Sequence, residues 1–297
     1  MTIRCWPAAI AGLLLLPSLV QAAIAAPDIP LPNGRYTRWL EVRTLQGNVS
    51  REQPPNPPQM AKIGDRLERV GDRLATAPAS EAGLALDDGI GFIKIAEDTI
   101  LRVQEMRIDD KGGRITRLEV PKGTARLQIR RFTNPKSELT IESPAGIAGV
   151  RGTEFGVGIT PSGRTSVATA QGSVATSAQG VTVLVDEGSY SVVVPGQPPT
   201  PPQSLESVNL RLGVQTLELA NRNGALAARF IGRIHPVTSL SINGAIVDTD
   251  VAGRFDELVP LQSDRRFTAI VRSPVGEAQG YELTVTEEGW SRRFLQP

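Results

Sequence analysis

The chain has 297 residues, 40% of them hydrophobic, 21% charged and only 4% aromatic, with 29 glycines and 23 prolines. Its 32 Lys and Arg nearly cancel 31 Asp and Glu, leaving a net charge of +1, which excludes a long-range field for nucleic acid or an acidic membrane. Glycine and proline at this frequency predict many short strands joined by turns, and the length predicts two domains once a leader is removed.

The first element in chain order is that leader. Met1 to Arg4 is a short positive segment, and Ala8 to Val20 is an apolar run too short to span a bilayer comfortably. Val20-Gln-Ala22 and Ala23-Ile-Ala25 are small-x-small cleavage patterns. Residues 1–25 therefore read as a signal peptide, and the expected location is periplasmic or secreted. Cys5 falls inside the leader, so the mature chain would hold no cysteine and no disulfide. No later segment reaches the length of a membrane helix.

Two proline-rich stretches follow, at 52–59 and 195–204. Proline fixes φ and removes a backbone donor, so neither belongs in a sheet interior. The expected division is a first unit over 35–195, a linker over 196–205, a second unit over 206–286 and a tail over 287–297.

Within the first unit a phrase recurs: Leu45-Gln-Gly-Asn-Val49, Pro121-Lys-Gly-Thr-Ala125, Ala170-Gln-Gly-Ser-Val174 and Asp186-Glu-Gly-Ser-Tyr190. Each puts a glycine before a small polar residue at the start of an alternating run, which predicts strand, corner, strand. Apolar residues alternate over 91–95, 100–103, 116–120, 125–129, 139–141 and 181–185. Residues 62–76 can be read at helical period, but Gly64 and Gly71 favour extended structure with two turns. In the second unit, Asn243-Gly244 between alternating runs predicts a tight hairpin, and runs at 266–271 and 281–285 add strands. The fold class expected is all-β.

One stretch, Ile147-Ala-Gly-Val-Arg-Gly-Thr-Glu-Phe-Gly-Val157, sets Arg151 and Glu154 inside an apolar, glycine-punctuated run. On a regular strand these charges fall on opposite faces. A bulge or corner at Gly152 would let them converge and hold a chain reversal, with Ile147, Val150, Phe155 and Val157 as packing. The alternative is a partner or ligand contact.

From Ser143 to Val157 the sequence resembles the signature of the FecR-type periplasmic domain: an apolar residue, Arg151-Gly152-Thr153, the acidic Glu154 and Phe155. Ile63-Gly-Asp-Arg-Leu67, Leu84 to Gly89, Ala170 to Val174 and Val181 to Val194 extend the likeness over about 42–195. The resemblance implies short stacked strands, solenoid-like or barrel-like, in the cell envelope. Founding members carry a cytoplasmic segment and a membrane helix and relay transporter occupancy to a sigma factor; here the matching stretch follows the leader directly. Residues 240–255 resemble bacterial immunoglobulin-like domains, which implies a small β-sandwich.

No catalytic residue is assigned. His235, the one histidine, precedes Pro236 in a turn and has no Gly-x-Ser-x-Gly elbow for company. Metal ligation of the zinc type lacks clustered His and Cys, and the pairs Asp87-Asp88 and Asp109-Asp110 lack EF-hand spacing. Arg130-Arg131 and Arg265-Arg266 read as solvated faces. The expectation is a non-catalytic envelope protein without cofactor or metal, bound to another envelope protein in signalling or assembly. The alternative is a protein that binds glycan or a small ligand such as a ferric chelate.

Overall fold

The computed structural model describes residues 38–87 and 89–295; the leader, Cys5 and Asp88 lie outside them. Nearly every element is a strand, and one 3-10 turn at Leu205–Ser207 is the sole helical element among the described residues.

Residues 40–204 build two nine-stranded sheets. The order across the front sheet is Gln203–Ser204, Ser189–Val193, Thr165–Gln171, Glu154–Ile159, Gly123–Ile129, Gly91–Ile95, Glu81–Leu86, Leu40–Gln46, Arg66–Leu67. Across the back sheet it is Val181–Asp186, Ser173–Ala178, Ile147–Val150, Glu138–Glu142, Arg114–Glu119, Ile100–Ile108, Arg73–Thr76, Val49–Glu52, Gln59–Met60. Spatial order follows chain order almost throughout, because the chain lays a strand or hairpin in one sheet and the next in the other. Neighbours within these two sheets are antiparallel except Arg114–Glu119 and Glu138–Glu142, which run parallel. The strands stack as the resemblance implies, but no sheet closes into a barrel, since both ends of each order are free edges.

The four recurring glycines, Gly47, Gly123, Gly172 and Gly188, sit where the chain changes sheet, all with φ between 72° and 104°. That backbone region is cheap only for glycine, so the phrase is a corner. Between corners, alternation turns one side of each strand inward. Leu84, Ile93, Leu127 and Phe155 from the front sheet meet Leu74, Leu101, Leu118 and Ile141 from the back sheet in one core. Gly64 and Gly71, both at positive φ, frame the short strand Arg66–Leu67, so 62–76 is extended with two turns.

The proline-rich stretch at 195–204 runs back along the front sheet. Thr200 N–H donates to the Val192 carbonyl (2.9 Å), Ser191 Oγ donates to the Thr200 carbonyl (2.8 Å), and Gln203 pairs with Tyr190.

Residues 213–295 form a three-stranded sheet (Gly213–Arg222, Ala225–Arg233, Arg254–Pro260) and a five-stranded sheet (Ala245–Val247, Ser239–Ile242, Arg266–Arg272, Ala278–Thr286, Gly289–Leu295). Leu217, Phe230 and Val259 from the first meet Leu240, Phe267 and Leu283 from the second in a separate core, with Phe230 edge-on to Phe267 at 4.9 Å. Asn243 and Gly244 both have positive φ (52° and 79°), as a tight hairpin turn requires. The segment read as a tail is an edge strand: Gly289–Leu295 pairs along its length with Ala278–Thr286.

These two sheets do not hang from the proline-rich stretch. All described residues belong to one compact unit. The turn around Pro274 presses on Gly156 of the front sheet so closely that a side chain there would overlap the Pro274 carbonyl. Arg164, 3% exposed, donates to the Thr249 carbonyl (3.1 Å), to Thr249 Oγ1 (2.5 Å) and to the Pro236 carbonyl. Burial draws this guanidinium down to about 10, with Asp248 and Asp250 opposing the shift, so it is charged at neutral pH and its acceptors replace the water it has lost. Glu97 accepts from Ser241 Oγ (2.8 Å) and Arg272 Nη2 (3.0 Å) across the same junction. Ala168, Tyr190 and Val192 bury Val237 in a small apolar cluster beside it.

Candidate functional site at the Arg-Gly-Thr corner

The strand Ile147–Val150 ends the back-sheet part of the signature, and Glu154–Ile159 begins its front-sheet part. Arg151, Gly152 and Thr153 are the crossing between them. Two backbone bonds pin it to the neighbouring crossing: Phe132 N–H donates to the Arg151 carbonyl (3.0 Å) and Ile129 N–H to the Thr153 carbonyl (2.9 Å). Gly152 has φ of 129°, and a Cβ there would overlap Arg131 Cα and lie 2.7 Å from Arg131 N. Glycine is required twice over, by conformation and by the close approach of two chain crossings.

The expected convergence of Arg151 and Glu154 does not occur. Arg151 is exposed, and among the described residues it has no carboxylate within 4 Å. Glu154 instead joins Arg126 and accepts from Gln128 Nε2 (3.1 Å). The reason is register: Glu154 lies opposite Gln128 on the adjacent strand, with Arg126 on the diagonal of the same face. Hydrogen bonds from Arg126 and then Gln128 hold the Glu154 carboxyl below the usual carboxylate range, against an opposing effect of burial. Of the four residues expected as packing, Val150, Phe155 and Val157 are buried, whereas Ile147 is 45% exposed. Thr153 is buried, with its hydroxyl unpartnered among protein atoms.

Beside the corner runs an open groove of about 660 Å³ whose walls include Phe92, Gln128, Arg130, Arg131, Glu154 and Gln171. A second groove of about 350 Å³ continues past Arg130 and Arg131 to Arg114, Phe132 and Asn134. Among the described residues neither Arg130 nor Arg131 has a carboxylate within 4 Å. By contrast, Arg114 meets Asp87 at 3.0 Å, and the buried Arg38 meets the same carboxylate at 3.0 Å. Burial lowers the Arg38 pKa, opposed chiefly by Asp87. The arrangement offers exposed guanidiniums, carboxamides and half-buried aromatic rings on a rigid backbone. Such a surface suits recognition of an acidic or polar partner. As a charge run in the sequence, Arg130-Arg131 marks a solvated face; only the fold brings the pair beside Gly152.

The remaining candidates lie away from this corner or already hold protein partners. His235 lies edge-on to Tyr190 (5.7 Å, 82°), and Val237 N–H points to its Nδ1 at 3.4 Å. Burial first, then Arg233, holds it below the usual histidine range. Asp87 is committed to arginines, and Asp109 accepts from the N–H groups of Lys111 and Gly113 (2.9 and 2.6 Å), closing its own turn. Among the described residues no group of three or more His, Cys, Asp or Glu is placed to hold a metal, and no helix is long and apolar enough to cross a membrane.

Residues 72–175 match the family model described as FecR protein. That span starts and ends inside the two nine-stranded sheets, includes the corner, and is less than half of the chain. Two solved structures of a "putative anti-sigma factor" from Parabacteroides distasonis ATCC 8503, at 1.65 and 2.50 Å resolution, are similar at 14% identity with a TM-score of 0.38. The likeness covers 44% of this chain and 59% of those chains, so the chain spans under two thirds of their length. No curated protein matches the sequence.

Proposed function

We propose that this chain is an exported, non-catalytic module of the cell envelope that binds another protein in signalling or assembly. The observation that carries this reading is the FecR match over residues 72–175, the part of the chain that presents the Arg-Gly-Thr corner and its arginine-lined groove. Arg151, Arg130 and Arg131 contact the partner in this reading, while Gly152, Thr153 and Phe155 keep the corner in shape and Glu154 orders the groove wall through Arg126. Residues 206–286, joined by the edge strand Gly289–Leu295, act in this reading as an immunoglobulin-like layer that stiffens the front sheet, and export follows from the leader read over residues 1–25.

The test is cross-linking in intact cells followed by capture of the chain, done in parallel with the double variant Arg130→Glu, Arg131→Glu. A discrete protein adduct lost in the variant supports the reading. An adduct unchanged by the double charge reversal, or no adduct at all, contradicts it. Binding of a small anion such as a ferric chelate is the second reading, favoured by the same two guanidiniums. Titration with ferric citrate separates the two, because heat that disappears in the double variant supports the second reading alone.

A further inference from the structure

A second cleft, of about 610 Å³, lies in the C-terminal half between residues 209–214, residues 233–236 at the end of the strand Ala225–Arg233, and the edge strand Gly289–Leu295. Arg211, Arg233, His235, Trp290 and Arg292 line it, and no Asp or Glu does. The chain as a whole is almost neutral, and its described arginines are mostly matched by carboxylates. Among the described residues Arg211, Arg233 and Arg292 have no carboxylate within 4 Å, so three unmatched cations share one concavity.

Two of the guanidiniums are already fixed. Arg292 Nη1 donates to the Leu212 carbonyl (2.7 Å), and its Cζ stands 5.7 Å from the Tyr281 ring and 5.6 Å from the Phe294 ring. Arg233 Nε donates to the Ala252 carbonyl (2.9 Å). Each keeps further N–H groups for a ligand, and ordering them costs little on binding. Burial first, and then the neighbouring Arg233, holds His235 below the usual histidine range. Trp290, 37% exposed, adds an aromatic surface to the same cleft.

We propose that this cleft binds an oxyanion-bearing saccharide, with its acidic groups on Arg211, Arg233 and Arg292 and a sugar ring against Trp290. The volume falls in the range of small-ligand sites and suits a few sugar rings. Guanidiniums pair with carboxylate or sulfate in forked geometry, and an indole face covers the C–H side of a pyranose. The site is separate from the Arg-Gly-Thr corner and stands whether or not a protein binds there.

The experiment titrates the full chain with a galacturonate trimer, an uncharged galactose trimer and inorganic sulfate. The part of the tryptophan emission that Trp290→Phe removes, and the ring-proton signal of His235, the one histidine, report binding. The charged trimer should move both signals and raise the His235 pKa, because its oxyanion offsets Arg233. Arg211→Glu, at an exposed position, should weaken binding at least about tenfold. Arg69→Glu, exposed on the other half, should leave binding unchanged. The proposal is overturned if the neutral trimer binds as tightly, if sulfate alone binds as tightly as the charged trimer, if Arg211→Glu and Arg69→Glu behave alike, or if neither signal moves.

Discussion

Replacing Gly156 with alanine tests the docking of the second half on the front sheet. A Cβ at this position would lie 3.1 Å from Pro274 Cα and far inside contact distance of the Pro274 carbonyl carbon and oxygen. These are backbone atoms and cannot swing aside as a side chain can. Gly156 has no positive φ, so its substitution carries no conformational strain of its own and reports the contact alone. Relief requires the turn to move by more than roughly 1 Å, against close-packed surroundings. The turn resists, because Gly276 N–H donates to the Ser273 carbonyl (3.0 Å) and Ser273 N–H to the Glu277 carbonyl (2.8 Å). Overpacking of this kind costs about 1–3 kcal/mol. Displacing Arg272, next to the turn, from Glu97 adds about 1–2 kcal/mol, since Glu97 is only 8% exposed. The expected loss is about 3 kcal/mol, read as a drop of about 1 M in the urea midpoint followed by circular dichroism. Gly149→Ala in the same signature is the control. Its Cβ would find nothing closer than 3.7 Å, and the change should stay within about 0.5 kcal/mol of the parent. A Gly156→Ala protein as stable as the parent, or a Gly149→Ala protein equally damaged, would refute the reasoning.

Further expectations follow from single groups. Arg164→Ala strands the carbonyls of Pro236 and Thr249 in a buried site and should lower stability by about 2–4 kcal/mol in the same urea assay. Glu154→Gln should cost about 0.5–1 kcal/mol at neutral pH. Because the folded-state pKa of Glu154 is lowered, its contribution is present above the usual carboxylate value and fades as pH falls through the lowered one, so parent and variant midpoints should converge in acid. His235 is held below its usual range, so the unfolded chain takes up its proton first as pH falls, and stability should decline as pH drops through the ordinary histidine range. His235→Gln should flatten that part of the thermal-melting profile, as no other histidine exists.

The sequence announced its corners more clearly than its contacts. The Gly-plus-small-polar phrase marks four changes of sheet because left-handed φ is a local demand that one residue type meets. Asn243-Gly244 was legible for the same reason. Asn223-Gly224, with φ of 52° and 88°, carries the same signal for the hairpin between Gly213–Arg222 and Ala225–Arg233. Register is a different matter. Arg126 sits in an alternating run that fixes its face, but nothing local says that Glu154 is its neighbour rather than Arg151. The docking face was also hidden. Gly156, Gly158, Ser166 and Ala168 fall on the side of the front sheet away from its core, where small residues look like solvent exposure until a second layer is seen to need them. Ile147 shows the converse, an apolar residue that a pattern assigns to packing and the fold leaves exposed.

The central claim is that contact with a protein partner is made at the arginine-bearing corner. Photo-cross-linking in living cells, from a benzoylphenylalanine placed at position 131 or 151, tests it most directly. Position 226, where Leu226 is 67% exposed on the hairpin of Gly213–Arg222 and Ala225–Arg233, is the reference. The account predicts one discrete protein adduct from positions 131 and 151 and none from 226. Adducts of equal yield from all three positions, or none from the corner, would contradict it.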